Sequence, residues 1–404
     1  MDAPTSSEST DYVTQVVHDP REIAADEWDA LLRAQPDGAA CGPFMRHAYL
    51  AALHTSGCTN AATGWTPHWV TLRQRFSGRL AAAAPLYVKR HSYGEYVFDW
   101  AWAAAHQRHG LRYYPKGVVA VPFTPVAGPR LLADGAAARA ALVRALLDQA
   151  RALGLSSLHV LLDTPADEAA AQAAGLLARE TVQFHWHNRH PVHGAAFADW
   201  DDFLASLSQD KRKKIRQERR KVADAGVTFE VRRGAHINAE DWDFFVRCYA
   251  QTYWEHGNPP YLNRAFFHAV GAALPEHWLL FIARMGERRI AASLVALSDD
   301  GPSPSAAYGR YWGALARVDC LHFEACYYQP LAWCIAHGVG RFEGGAQGEH
   351  KVARGLLPVS VHSRHWLAHP AFADAIAYYL DRERAATDEY RQALRAHAPF
   401  RQAP

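Results

Sequence analysis

The sequence predicts an α/β protein of two similar units in tandem, each a mixed, twisted sheet flanked by helices. Three observations carry this: the length, a repeated hairpin, and a repeated order of elements around that hairpin. A chain of 404 residues outgrows one core, because single cores stop growing at roughly 250–300 residues. "PHWVTLRQRFSGRLAAAAPLYV" (Pro67–Val88) and "EHWLLFIARMGERRIAASLVAL" (Glu276–Leu297) each read as strand, glycine turn, strand. Each opens on His-Trp, turns at Gly78 or Gly286, and resumes with Arg, an aliphatic residue and Ala-Ala.

The surrounding elements follow the same order in both halves. Helical patterns come first: "ADEWDALL" and "RHAYLAAL" in one half, "AEDWDFFVRCYAQTYW" and "RAFFHAVGAAL" in the other. After the first hairpin a helix is expected from Ala136 to Leu153, with Leu142, Leu146 and Leu153 apolar, then Gly154 and the strand "LSSLHVLL". After the second, Leu321, Ala325, Tyr328, Ala332 and Ile335 step by four and three along one face, which predicts a helix to His337. Gly338 ends it and the short strand "GRFEGG" follows. The expected organisation is a disordered tail over 1–15, units over 16–190 and 191–390, and a tail over 391–404.

Composition narrows the function classes. Hydrophobic residues make up 49%, with 13 Trp, 17 Tyr and 17 Phe, which is ample for sizeable cores. The net charge of +2 excludes a chain that binds polyanions over its whole surface, so any basic surface is local. Six cysteines without a C-x-x-C pair read as reduced thiols rather than a disulfide scaffold. The polar start "MDAPTSSESTDYVTQ" has no apolar core, and no stretch of about 18 apolar residues occurs, so neither signal peptide nor transmembrane helix is expected and the location is expected to be cytoplasmic. "HWHNRH" (His185–His190) has no carboxylate or cysteine at ligand spacing, and no metal is expected.

Three stretches carry chemistry. "LSQDKRKKIRQERRKVADAG" (Leu207–Gly226) is a basic helix whose body holds only Ile215 and Val222 as apolar residues. It reads either as a solvated face or as a cationic wall for phosphates, with Lys214 and Arg216 as candidate contacts. "GRFEGGAQGEHKVARG" (Gly340–Gly355) combines five glycines with Glu343, Glu349, His350, Lys351 and Arg354. Glycines let backbone approach a ligand, a carboxylate or imidazole can take a proton, and a cation can hold a phosphate or oxyanion. The plain alternative is a polar turn. "HGNPPYLNRAFF" (His256–Phe267) offers Asn258 and Tyr261, and "GRYWGALARVDCLHFE" (Gly309–Glu324) offers Arg310 and Arg317, with Asp319 as an expected helix cap. From the first half, Asp99 in "FDW" and Lys116 in "YYPK" are further candidates for the cleft.

These same stretches, with "YGRYWGA", "CLHFEACYYQPLAWCIAHGVGRFEGGAQGEHKVARGLLP" and "HSRHW", resemble the FemAB-like family of the GNAT acyltransferase superfamily. The resemblance implies two tandem GNAT-like (acyl-CoA N-acyltransferase) units. It implies an N-acyltransferase in which an amine attacks an acyl or aminoacyl donor directly, without a covalent enzyme intermediate. The donor would lie between two splayed strands, for which "RIAASLVAL" and "GRFEGG" are the candidates. Glu343 or Glu349, with His350 as alternative, would be the base, and Lys351, Arg354, Lys214 and Arg216 would hold phosphate. The Gln/Arg-x-x-Gly-x-Gly/Ala signature for a coenzyme pyrophosphate is not visible after either strand, which leaves acyl-CoA and aminoacyl-tRNA both open as co-substrates. No permanently bound cofactor is expected. The partner is an amine acceptor, nucleotide- or lipid-linked, such as a cell-wall precursor. The competing reading is a non-enzymatic binder of such a precursor or of RNA, built on a degenerate GNAT pair.

Overall fold

The structure, a computed structural model, describes residues 11–401 except 37, 39, 300, 302 and 346. Its strands are β1 (Tyr12–Val17), β2 (Trp65–Pro67), β3 (Trp69–Gln74), β4 (Leu80–Ala84), β5 (Leu86–Lys89), β6 (Lys116–Val119), β7 (Leu132–Ala133) and β8 (Ser157–Asp163). They continue as β9 (Leu177–His187), β10 (Val227–Arg233), β11 (Trp278–Met285), β12 (Arg288–Leu297), β13 (Ala306–Ala314), β14 (Arg341–Glu343) and β15 (Leu357–Leu367). Four form a small sheet in the order β1-β3-β4-β7, and eleven form one large sheet, β10-β11-β12-β13-β14-β9-β15-β8-β6-β5-β2.

Both expected hairpins are present, β3–β4 and β11–β12, and their turn glycines hold positive φ, 69° at Gly78 and 57° at Gly286. Period-two alternation sorts the large sheet's residues to two faces. Leu280, Ile282, Leu294, Ala296 and Tyr308 join one core with Trp242, Phe245 and Phe267 from helices Ala239–Glu255 and Arg264–Ala273, and with Phe44 and Tyr49 of the first half. Leu279, Phe281, Val295, Ala307 and Phe342 face the other way, against Leu331 and Ile335 of helix Gln329–Ala336.

One contact fixes the height of a helix on the sheet. A Cβ added at Gly313 of β13 would sit 1.8 Å from the backbone oxygen of Cys248 in helix Ala239–Glu255. Backbone cannot rotate away as a side chain tip can. Gly313→Ala should therefore cost about 3 kcal/mol, at the upper end of overpacking effects, measured by urea denaturation; a loss within ~0.5 kcal/mol, the range of ordinary surface changes, would contradict the close approach.

The large sheet interleaves the two halves. β15, near the end of the chain, lies between β8 and β9 of the first half, pairing antiparallel with both. β9 in turn pairs with β14. The division at residues 190/191 is thus a proposal about sequence units; in the sheet the halves exchange strands across it.

Several boundaries differ from expectation. Residues 1–10 of the tail expected over 1–15 lie outside the described residues, but Tyr12–Val17 is a strand, held by pairing with β3. The tail expected over 391–404 is instead ordered to residue 401. Helix Pro370–Ala396 buries Leu394, and Phe400 bridges to Leu207. The helix expected from Leu321 contains a π-helical stretch, Glu324–Tyr328. Its cap position is held by Cys320 in a left-handed conformation (φ 68°), not by Asp319. The six cysteines are free thiols.

Candidate active site

β13 and β14 run parallel for only three pairs, Ala306↔Arg341, Ala307↔Phe342 and Tyr308↔Glu343. Beyond them β13 continues along β12 while β14 ends and the chain turns away at Gly344. The splayed pair is therefore β13 and β14. "RIAASLVAL", the expected partner of "GRFEGG", is β12, antiparallel to β13 and one strand removed. The strand that does flank the gap, "AAYGRYWGA", carries two glycines and no clean alternation, which is why its pattern alone did not mark it.

A bulge sharpens the splay. Leu294 pairs with Tyr311 and Val295 with Gly309, so Arg310 is the extra residue on β13. Bulges re-aim a side chain and release backbone from the ladder. Two cavities open at this point, of about 410 Å3 and 150 Å3. They share Gly309, Arg310, Tyr311, Trp312 and Gly344 as lining residues. Tyr96, Tyr249, Tyr253, His256, Asn258 and Gln347 contribute to the larger. Ser293, His322, Cys326, Tyr327 and Phe342 contribute to the smaller.

Arg310 is half-buried, and its guanidinium donates to the Phe123 carbonyl and the Tyr311 hydroxyl, both at 2.9 Å. Tyr311 donates to the same carbonyl at 3.0 Å. That carbonyl is presented by unusual backbone, since Phe123 and Tyr96 hold φ of 59° and 60°. Side chains other than glycine rarely adopt such values, and strain of this kind gathers at functional sites. Burial raises the hydroxyl pKa of Tyr96, Tyr249, Tyr253 and Tyr311, so all four remain protonated donors at neutral pH. On the other side, burial lowers His322 to about 4, leaving a neutral imidazole.

Glu343 ends β14 with its side chain buried on the face opposite Phe342, so it lines neither cavity, while Gly344, the next residue, lines both. Its Oε1 lies 2.9 Å from Arg341 Nε, and its Oε2 lies 3.7 Å from His185 Nε2 without a hydrogen-bond partner. Burial raises its pKa to about 7 against the pull of Arg341.

The other expected residues disperse. Asn258 joins Arg310 in the larger cavity. Tyr261 stacks on Phe123 at 5.0 Å and supports it from behind. Glu349 is exposed and accepts from the Tyr390 hydroxyl at 2.9 Å. His350 is exposed beside the Tyr327 hydroxyl at 3.2 Å. Lys351 is buried, donates to the Gln347 carbonyl and is lowered to about 8 by burial. Arg354 is buried in an ion pair with Glu218 of the basic helix at 2.8 Å and lies 3.6 Å over the Phe323 ring. It ties the glycine-rich loop down rather than facing a cavity. Lys214 and Arg216 are exposed on helix Gln209–Asp224 and line neither cavity.

Asp99 and Lys116 lie under the wall from the first half. Lys116 Nζ donates to Glu95 Oε2 at 2.7 Å, to Ser92 Oγ at 2.8 Å and to Asp99. Burial would discharge this lysine, but the two carboxylates outweigh it and keep its pKa above the ordinary value. Glu95 is the neighbour of Tyr96, so the cluster anchors the loop that brings Tyr96 to the cavity. The four tyrosines were not anticipated; the four-residue spacing of Tyr249 and Tyr253 was a signal, read only as a helix face.

A family model described as FemAB-like, peptidoglycan biosynthesis/recognition, matches residues 19–402. No curated protein matches the chain. Among solved structures, FemX is 12% identical and aligns over 90% of this chain and 100% of its own at a TM-score of 0.51. A conserved protein of unknown function from Bacteroides thetaiotaomicron is 9% identical over 87% of this chain and 99% of its own, also at 0.51. A tandem GNAT protein from the clavulanic acid biosynthesis pathway is 12% identical over 89% and 99%, at 0.46. The mixed α/β class read from the sequence is the one found, as a large mixed sheet flanked by helices, and FemX shares this fold.

Proposed function

The chain belongs to the FemAB-like family, and from that premise we propose that it is an N-acyltransferase working in the gap between β13 and β14. It transfers an acyl or aminoacyl group to an amine on a phosphorylated acceptor such as a cell-wall precursor. The observation that supports this best is the pair of cavities that meet at Gly309–Trp312 and Gly344. Donor and acceptor entering from the two sides would bring carbonyl and amine together there. The amine attacks the ester or thioester carbonyl, its C–N bond forms, and the C–O or C–S bond breaks. One proton leaves the amine for a base and one reaches the departing oxygen or sulfur.

Glu343 is the proposed base: its carboxyl has a near-neutral pKa and an oxygen free of hydrogen bonds, and because it lines neither cavity the proton would reach it through a water at the Gly344 turn rather than by direct contact. Arg310 and the protonated tyrosines would stabilise the oxyanion or hold an anionic group. Lys214 and Arg216 are proposed as an outer handle for phosphate. Arg310→Met should raise the donor or acceptor KM at least ~10-fold, the loss of one charged hydrogen bond, with Tm held within ~2 °C; an unchanged KM and turnover would remove Arg310 from the site.

The deciding experiment is a thermal shift of the full chain against acetyl-CoA, longer acyl-CoAs and charged tRNA. A donor at 100 times its Kd adds ~2.7 kcal/mol of apparent stability. A shift with CoA esters alone supports an acyl-CoA enzyme, and one with charged but not uncharged tRNA supports aminoacyl transfer. No shift with any donor, together with salt-sensitive precursor or RNA binding that Lys214→Ala weakens, would favour the binder instead.

A further inference from the structure

The open end of the β11–β12 hairpin carries polar side chains that the transfer reading leaves unused. Glu276 and His277 immediately precede β11, and Asp299 follows β12. A carboxylate oxygen from each acid and a ring nitrogen of His277 all lie within 4.8 Å of one another. The acids are half-exposed, with side-chain exposures of 47% for Glu276 and 50% for Asp299. His277 is 1% exposed.

The hydrogen bonding of His277 sets its tautomer. Its Nδ1 lies 2.8 Å from the carbonyl oxygen of Leu297, which only a ring N–H can satisfy. In the neutral ring Nε2 then presents a lone pair. Nε2 has no hydrogen-bond partner, yet Glu276 Oε1 lies 3.3 Å away. Two acceptors facing each other at that distance, with a second carboxylate close by, repel unless a cation lies among them. That cation is a proton on Nε2 or a metal ion. A proton on Nε2 would engage Glu276 alone, whereas a metal ion also engages the Asp299 carboxylate that lies within 4.8 Å of the other two. Arg46 lies 3.5 Å from Asp299 and pairs with that carboxylate.

We propose that Glu276, His277 and Asp299 bind a divalent transition-metal cation, with Zn2+ the best match, through His277 Nε2 and one oxygen from each carboxylate. One imidazole with two carboxylates suits Zn2+ better than Mg2+ or Ca2+, which prefer oxygen alone. A ligating histidine usually donates its other N–H to a carbonyl or carboxylate, as His277 does to Leu297. The ion would clasp the two ends of the hairpin. Through the Arg46–Asp299 pair it would also tie the hairpin to the start of helix His47–Thr55 in the first half.

The test uses the full chain stripped with EDTA, then given Zn2+, Co2+, Mn2+, Mg2+ or Ca2+ singly. Zn2+ should raise the thermal midpoint by ~3 °C or more, and Co2+ should give visible absorption bands of a low-coordinate site. Asp299→Asn and Glu276→Gln, both at half-exposed positions, should fold normally and weaken Zn2+ binding at least ~10-fold. No shift with any cation overturns the proposal. So does an equal shift in both variants, which would place the metal among the chain's other histidines, and so does an NMR titration showing His277 protonated at neutral pH. None of these readouts depends on transferase activity, so failure here and failure of the transfer reading are separable.

Discussion

Glu343→Gln is expected to lower turnover at least ~100-fold, the usual scale for loss of a general base, and to leave the fold intact. The substitution keeps the shape of the side chain and its contact with Arg341. It removes only the capacity to take a proton. With the carboxyl raised to about 7 by burial, the wild-type rate should fall about tenfold per pH unit below that value, and this acid limb should vanish in the variant. Stability must move the opposite way. The folded pKa lies above the ~4.3 of an exposed glutamate, so the folded state binds the proton more tightly than the unfolded chain. Relative to Glu343→Gln, the wild type should therefore lose stability as pH rises from about 4.5 through 7. Unchanged turnover would remove Glu343 as base; a flat stability difference across that window would show that its burial is not as described.

Lys116→Met should destabilise the protein by about 3–5 kcal/mol, the range for removing one partner of a buried ion pair. Lys116 and Lys89 are both 0% exposed, and Glu95 and Asp99 are 4% exposed. With Lys116 gone, two buried carboxylates face only Lys89, whose ammonium is 4.0 Å from Glu95 and lowered to about 7 by burial. The triple variant Lys116→Met, Glu95→Gln, Asp99→Asn should recover most of the loss, because no buried carboxylate is left unpaired and Lys89, already lowered to about 7 by burial, can shed its proton. Urea denaturation of single and triple variants decides it. Equal losses would mean that packing, not charge, is what Lys116 supplies.

What the sequence showed depended on how local each signal was. The hairpins were visible because strand alternation and a turn glycine sit within one window, as at Gly78 and Gly286. β14 was visible despite its three residues because glycines punctuate it on both sides. β13 was passed over as partner in the splay, since Gly309 and Gly313 break its pattern, and both glycines answer to tertiary contacts: Phe342 crowds one and the Cys248 backbone the other. The ionisable residues of the glycine-rich loop drew attention by their type, yet type does not tell a free cation from a paired one. Arg354 was read as a phosphate ligand, and its partner Glu218 lies in a helix whose composition spoke only of positive charge. The tyrosine wall was hidden for the converse reason, because buried tyrosines at helical spacing look like ordinary core.

The interleaved sheet has a consequence for the making of the protein. β8 and β9 leave the ribosome well before the strand that separates them, β15, which ends at residue 367. Until then the first half cannot close its sheet, and both strands offer unpaired backbone edges to any neighbouring chain. The pairing that finally covers them joins residues far apart in sequence, which makes it slow to form. A nascent chain of this protein is thus aggregation-prone from the emergence of β9 until that of β15, and a fragment that stops short of β15 keeps that liability for good.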